Sequence, residues 1–143
     1  NPTGDVIDPR DGRVIAGTRG ADGRPRSASQ AIVAGEIPQR ALPGMATTIG
    51  IVATDAQLSK AQCQKLASMA HNGLARSIDP VHTMADGDTL FALATGSSGR
   101  SGEMSVLGVL AATVTARAVL NAVRAATGLA DPPLPSARDL GLA

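Results

Sequence analysis

Aromatic residues are nearly missing from this sequence: one Phe and no Tyr or Trp in 143 residues. Base-stacking platforms are therefore not expected, and nucleic acid is not an expected partner. The core has to be built from Ala, Val, Leu and Ile. Cysteine is as scarce. A lone Cys63 excludes an internal disulfide and suits a reducing, cytoplasmic compartment. Excess charge is absent too: a formal net charge of +1 gives no general pull toward nucleic acid or an anionic membrane. The sequence has no signal-peptide pattern at its start and no uninterrupted apolar run long enough to span a bilayer, so no membrane partner is expected. It opens at Asn1-Pro2 rather than at methionine, as a processed product or the tail of a longer chain does. What is present is length enough for one domain with a real core.

The stretch from Thr47 to Asp55 organises the rest. Pro43-Gly44 breaks the chain just before it, and β-branched residues dominate it, which predicts a buried strand opening on a hydroxyl residue. Upstream, Asp5–Asp8 and Arg13–Ala16 flank Pro9-Arg10-Asp11-Gly12, a hairpin signal with Asp-Gly at the turn. The polar, turn-rich stretch from Ala21 to Gln30 reads as part of a mobile loop over 20–44. Downstream, Ser59 and Gln62 have capping-box spacing and predict a helix to about Ser77, ahead of Asp79-Pro80. Thr89–Thr95 predicts a second apolar strand. A long helix from about Glu103 to Thr127, closed by Gly128, is apolar nearly all round and predicts burial on several sides; Arg117 and Arg124 argue against a membrane span. The order hairpin, strand, helix, strand, helix gives an α/β (α+β) layer arrangement. So few strands beside so apolar a last helix predict missing partner segments.

Three places could carry chemistry. Thr47 is either the start of a core strand or, if the bond before it is cut, a hydroxyl and a free α-amine on one residue, a nucleophile with its own base. Asp86-Gly87-Asp88 is a turn, a carboxylate pair that orients an amine or hydroxyl, or a partial cation site with no further acid nearby to complete it. Gly96–Gly102 is a connector or an anion cradle that lacks a nucleotide-loop lysine. His82 is an acid–base group or a loop histidine that caps or packs; Cys63 and His71 have no partner at metal-ligand spacing and read as structural. No metal and no cofactor is expected.

Taken jointly, Ala46–Ala56, Pro80-Val81-His82-Thr83 and Asp86–Ala92 resemble the self-processing N-terminal-nucleophile aminopeptidase and amidohydrolase family. That family includes L-aminopeptidase/D-esterases, β-peptidyl aminopeptidases and nylon-oligomer hydrolases. The resemblance covers most of the chain, and the joint spacing of the motifs is its specific part. It implies self-cleavage between Ala46 and Thr47, with Thr47 as nucleophile and its own amine as base. It implies that Asp86 and Asp88 position that residue, and that Asn1 helps stabilise an oxyanion, for which a neutral amide donor is chemically suited. It implies an αββα sandwich built from two fragments: residues 1–46 would end the first and residues 47–143 would be the second. Expected partners are a small peptide or amide substrate, the missing N-terminal segment and further copies, as a homo-oligomer of processed heterodimers.

The sequence also departs from that family. Members are roughly twice as long, and the front part with its catalytic lysine is absent. Ala46 stands where close relatives carry Asn or Gly before the cut, and this chain spans both sides of the expected cut. Met45-Ala46-Thr47 and Ala53–Ala56 also resemble ornithine acetyltransferases, which cut between Ala and Thr. Leu90-Phe91-Ala92 directly after Thr89, and Pro80–Thr83, side with the peptidases. A non-catalytic domain on the same scaffold is the third reading.

Overall fold

The computed structural model describes residues 4–36 and 46–142. In chain order the elements are β1 (Asp5–Ile7), β2 (Val14–Ala16), α1 (Ala28–Val33), β3 (Ile49–Thr54), α2 (Lys60–Ser77), β4 (Ile78–Asp79), β5 (Thr89–Ala94) and α3 (Met104–Ala125). The fold is α+β. β3 and β5 pair in parallel with α2 between them in sequence, and β2-β1-β4 form a small antiparallel sheet. The hairpin forms where the Asp-Gly turn predicts it. α2 starts at the predicted capping box: Ser59 accepts from the Gln62 N–H and the Gln62 side chain reaches back to the Ser59 N–H.

α2 and α3 pack closely because small residues line their contact. Gly73 is required there: a Cβ on it would lie 2.4 Å from the Ala112 carbonyl oxygen and 2.5 Å from Thr115 Cβ. Ala70 and Ala111 are buried beside Leu66, Leu74, Ile78 and Leu90 in the main core. Each of these fully buried Leu and Ile side chains contributes about 1.5–3 kcal/mol. A second cluster of Val6, Ile15 and Leu120 joins the hairpin to α3, and Val119 packs against both clusters.

Four sequence expectations change here. β3 is not buried on both faces: Val52, Leu90 and Ala92 pack on the core, while Ile49 and Ile51 are 72% and 65% exposed. α2 packs on one face of the two-stranded sheet, and no described element covers the other, where Phe91 and Leu93 are exposed as well. α3 is open on one side as well, with Val106, Val109, Leu110 and Val114 exposed, because its described neighbours meet one face only. It ends at Ala125 with Ala126 as its cap, short of Gly128. By length and composition α3 could cross a membrane, yet its Gly108, Ala111, Ala112 and Leu120 are buried inside the protein. Finally, residues 28–33 within the expected loop form a helix. Its Ser27 cap accepts from the Gln30 N–H at 3.1 Å.

Candidate active site

Strand register assembles the site. Ile49 pairs with Thr89, and the same parallel register continues ahead of both strands, where Ala46 bridges Asp86. The Ala46 carbonyl accepts the Gly87 N–H at 2.9 Å, and the Thr48 carbonyl accepts the Thr89 N–H at 2.8 Å. Ala46, Thr47, Asp86 and Asp88 are thus brought together from two segments far apart in sequence. Regular strand structure begins at Ile49, so Thr47 lies just before it, on a backbone already held by pairing. Asn1 lies outside the described residues.

The Thr47 hydroxyl donates to the Ala46 carbonyl at 2.7 Å. That oxygen therefore receives two donors, one from Gly87 and one from Thr47. Gly87 is needed for space: a Cβ on it would lie 2.8 Å from Thr47 Oγ1. Asp88, with its side chain 2% exposed, lies next in register to Thr48 and accepts the Thr48 N–H on Oδ1 at 2.8 Å. Asp86 Oδ2 accepts both the N–H and the hydroxyl of Thr83 at 2.8 Å, which fixes the loop ahead of it. Thr48 Oγ1 is buried with no hydrogen-bond partner among the described residues.

Two histidines extend the cluster: His82, an acid–base candidate in the sequence, and His71, which the sequence reads as structural. His82 Nδ1 lies 2.9 Å from Asp88 Oδ2, and its Nε2 lies 3.4 Å from His71 Nδ1 on α2. The two rings are 4.9 Å apart. Burial, then the nearby charge of His82, holds His71 below the usual histidine range, and Asp88 works in the opposite direction. No spacing rule brings residues 71 and 82 together, since one sits on a helix and the other in a loop. His82 could be suspected from the Pro80–Thr83 motif, whose Val81 is anchored against the main core. His82 also has φ +55, an uncommon conformation for a non-glycine residue.

Among the described residues no three His, Cys, Asp or Glu side chains converge to hold a metal ion. A cavity of about 580 Å³ lies elsewhere, between the hairpin and α1; Arg13, Arg24, Ser29 and Asp79 line it, and none of Ala46, Thr47, Asp86 or Asp88 does.

The chain is similar to known proteins. The chain is 48% identical over 105 residues to an uncharacterized aminopeptidase of Mycobacterium leprae, covering 64% of this chain and 29% of that protein. It is 45% identical over 107 residues to an uncharacterized aminopeptidase of Mycobacterium tuberculosis, covering 66% and 30%. It is 35% identical over 139 residues to a 6-aminohexanoate-oligomer endohydrolase of Paenarthrobacter ureafaciens, covering 85% and 38%. It therefore spans less than half the length of each of these relatives. Residues 12–132, which take in both the Thr47 strand and the Asp86–Asp88 turn, match the sequence pattern of peptidase family S58, and the chain belongs to that family.

Proposed function

We propose that the protein carrying this chain is a self-processing amide hydrolase with Thr47 as its N-terminal nucleophile. One observation carries this reading most directly. The carbonyl of Ala46, the group to be attacked in self-cleavage, accepts from both the Gly87 N–H and the Thr47 hydroxyl beside the aspartate pair. The Gly87 N–H polarises that carbonyl and can stabilise negative charge arising on its oxygen, while the hydroxyl contact holds Thr47 Oγ1 beside the carbonyl and is given up as Oγ1 attacks.

Self-cleavage then runs as an acyl shift. Thr47 Oγ1 bonds to the Ala46 carbonyl carbon while its proton passes to the departing nitrogen. The C–N bond breaks, and an ester joins Ala46 to the Thr47 oxygen. Water hydrolyses that ester, leaving a carboxylate on Ala46 and a free amine on Thr47. In turnover the amine takes the hydroxyl proton as the oxygen attacks a substrate amide, then passes it to the leaving amine. Water releases the acyl group. Asp88 holds the Thr48 amide and with it the Thr47 main chain, Asp86 holds the loop that presents Asp88, and Asn1 donates to the oxyanion.

Substrates in this reading are short peptides or amide oligomers, the classes named for the mycobacterial and Paenarthrobacter relatives. The exposed apolar faces of the β3–β5 sheet and of α3 support further partners: the preceding segment of the protein, completing an αββα sandwich, and other copies in an oligomer of processed heterodimers.

The test is mass spectrometry of the whole protein, together with assay of Thr47→Ala on amide substrates with no added acyl acceptor. A fragment starting at Thr47, amine release by the wild type, and loss of both in Thr47→Ala are expected. A variant that still hydrolyses amides at the wild-type rate refutes Thr47 as nucleophile. Turnover that requires glutamate as acceptor replaces hydrolysis with acetyl transfer, the reading Ala46 would favour.

A further inference from the structure

The Asp88 side chain is almost wholly buried, and each of its oxygens has a different partner. Oδ1 accepts the Thr48 N–H, and Oδ2 faces His82 Nδ1. An ionised carboxylate can only accept hydrogen bonds. His82 must therefore carry its proton on Nδ1, whether the ring is neutral or charged. In the neutral ring that leaves Nε2 as an acceptor for His71 Nδ1–H, the longer contact of 3.4 Å. A carboxylate with one oxygen on the reactive backbone can rotate about its own bonds unless its second oxygen is held. His82 holds it, and His82 is itself confined by Val81 in the core, by the Thr83–Asp86 bonds and by His71 from α2.

We propose that His82 is a positioning residue, seated against His71, which fixes the Asp88 carboxylate so that Asp88 holds the Thr47-Thr48 backbone in place for attack. This rests on the reading of Thr47 as nucleophile only for its kinetic consequence; the geometry it asserts can be tested without turnover. A purely structural role, shielding a buried charge, would lower the melting temperature and leave the rate per folded molecule unchanged. A positioning role acts on kcat.

In the whole protein, His82→Ala should lower kcat by up to about a hundredfold, the loss that a misplacement of about 1 Å at a reacting group can cause. KM should stay within about twofold. His82→Asn, whose side-chain N–H can stand where Nδ1–H stands, should recover most of the loss. His71→Leu should cost less than His82→Ala, in the same direction. Independently of activity, amide hydrogen exchange at Thr48 should speed up in His82→Ala and return toward wild type in His82→Asn, with exchange in the middle of β3 unchanged. Wild-type kcat in a folded His82→Ala protein overturns the proposal, as does Thr48 exchange that does not respond to His82. If no variant and no wild type turns over any amide, the hydrolase reading fails, and the Thr48 exchange pattern alone decides the His82 proposal.

Discussion

Asp5 and Asp8 bracket the apolar pair of β1, Asp86 and Asp88 stand just ahead of β5, and the two pairs are satisfied by different kinds of group. Asp5 accepts the Thr18 and Ala28 backbone N–H groups at 2.6 Å, tying the start of α1 to the hairpin. Asp8 accepts the Arg10 N–H and guanidinium, and lies 3.3 Å from Arg124 on α3. Among the described residues, the partners of the first pair are backbone amides and guanidinium groups, which keep their protons at all working pH values. The second pair meets backbone amides too, those of Thr83 and Thr48, but also a threonine hydroxyl and an imidazole. Hydroxyls and imidazoles can move protons. The first arrangement is a clamp; the second suits a place where bonds are rearranged. Carboxylates of one chemical type thus stand in different surroundings because the fold brings different donors to them.

The sharpest way to break that distinction is to neutralise one member of each pair without changing its shape. Asp88→Asn should lower turnover by about 10²-fold or more while leaving the thermal midpoint close to wild type. Steady-state kinetics and thermal denaturation on the same preparation check it. A variant with normal turnover would put Asp88 among the clamps.

Asp8 should behave in the reverse manner, with stability and not rate affected. Hydrogen bonds from Arg10, aided by the charges of Arg10 and Arg124, hold its carboxyl well below the usual carboxylate range. A group whose pKa is lower folded than unfolded adds stability above its unfolded value of about 4, and that stability fades as pH falls below it. Wild type should therefore lose more stability than Asp8→Asn between neutral and acidic pH, so the gap between the two narrows on acidification. Glu36, Glu103 and Asp139 are also held low by hydrogen bonds, but they act equally in both proteins and cancel in the comparison. A gap that stays constant down to pH 3 would remove Asp8 from the acid response.

The Asp86–Asp88 pair stands out in the sequence and the clamps do not, for a physical reason. Asp86-Gly87-Asp88 stands out as a local pattern ahead of an apolar strand. Asp5 and Asp8 gain their meaning from Thr18, Ala28 and Arg124, which only tertiary structure brings near. The same holds for His71 and His82. Local signals did well where the structure they specify is itself local, as at the Ser59–Gln62 cap and the Asp-Gly hairpin. α1 escaped although Ser27-Ala28-Ser29-Gln30 repeats the Ser-x-x-Gln spacing of the α2 cap, because its six residues bury no side chain and leave no apolar period. The burial of β3 and α3 was over-read, since composition says that a face is apolar and not what lies against it.

The smallest expected effect is the most local. Thr47 and Thr48 are adjacent, chemically identical, and differ by one step of strand alternation. Thr47 lies level with Gly87, its hydroxyl where a Gly87 Cβ would point, and Thr48 lies level with Asp88, its hydroxyl buried without a partner. A buried hydroxyl left unpaired costs about 1–3 kcal/mol, and an apolar group of the same shape avoids that cost. Thr48→Val should therefore leave turnover intact and change stability little or raise it by about 1 kcal/mol, whereas the same change at Thr47 should abolish activity. Denaturant titration measures the first and the amide assay the second. Clear destabilisation by Thr48→Val would mean that its hydroxyl has a partner in the assembled protein, which would make the helix-facing side of this turn as exacting as the side that carries Thr47.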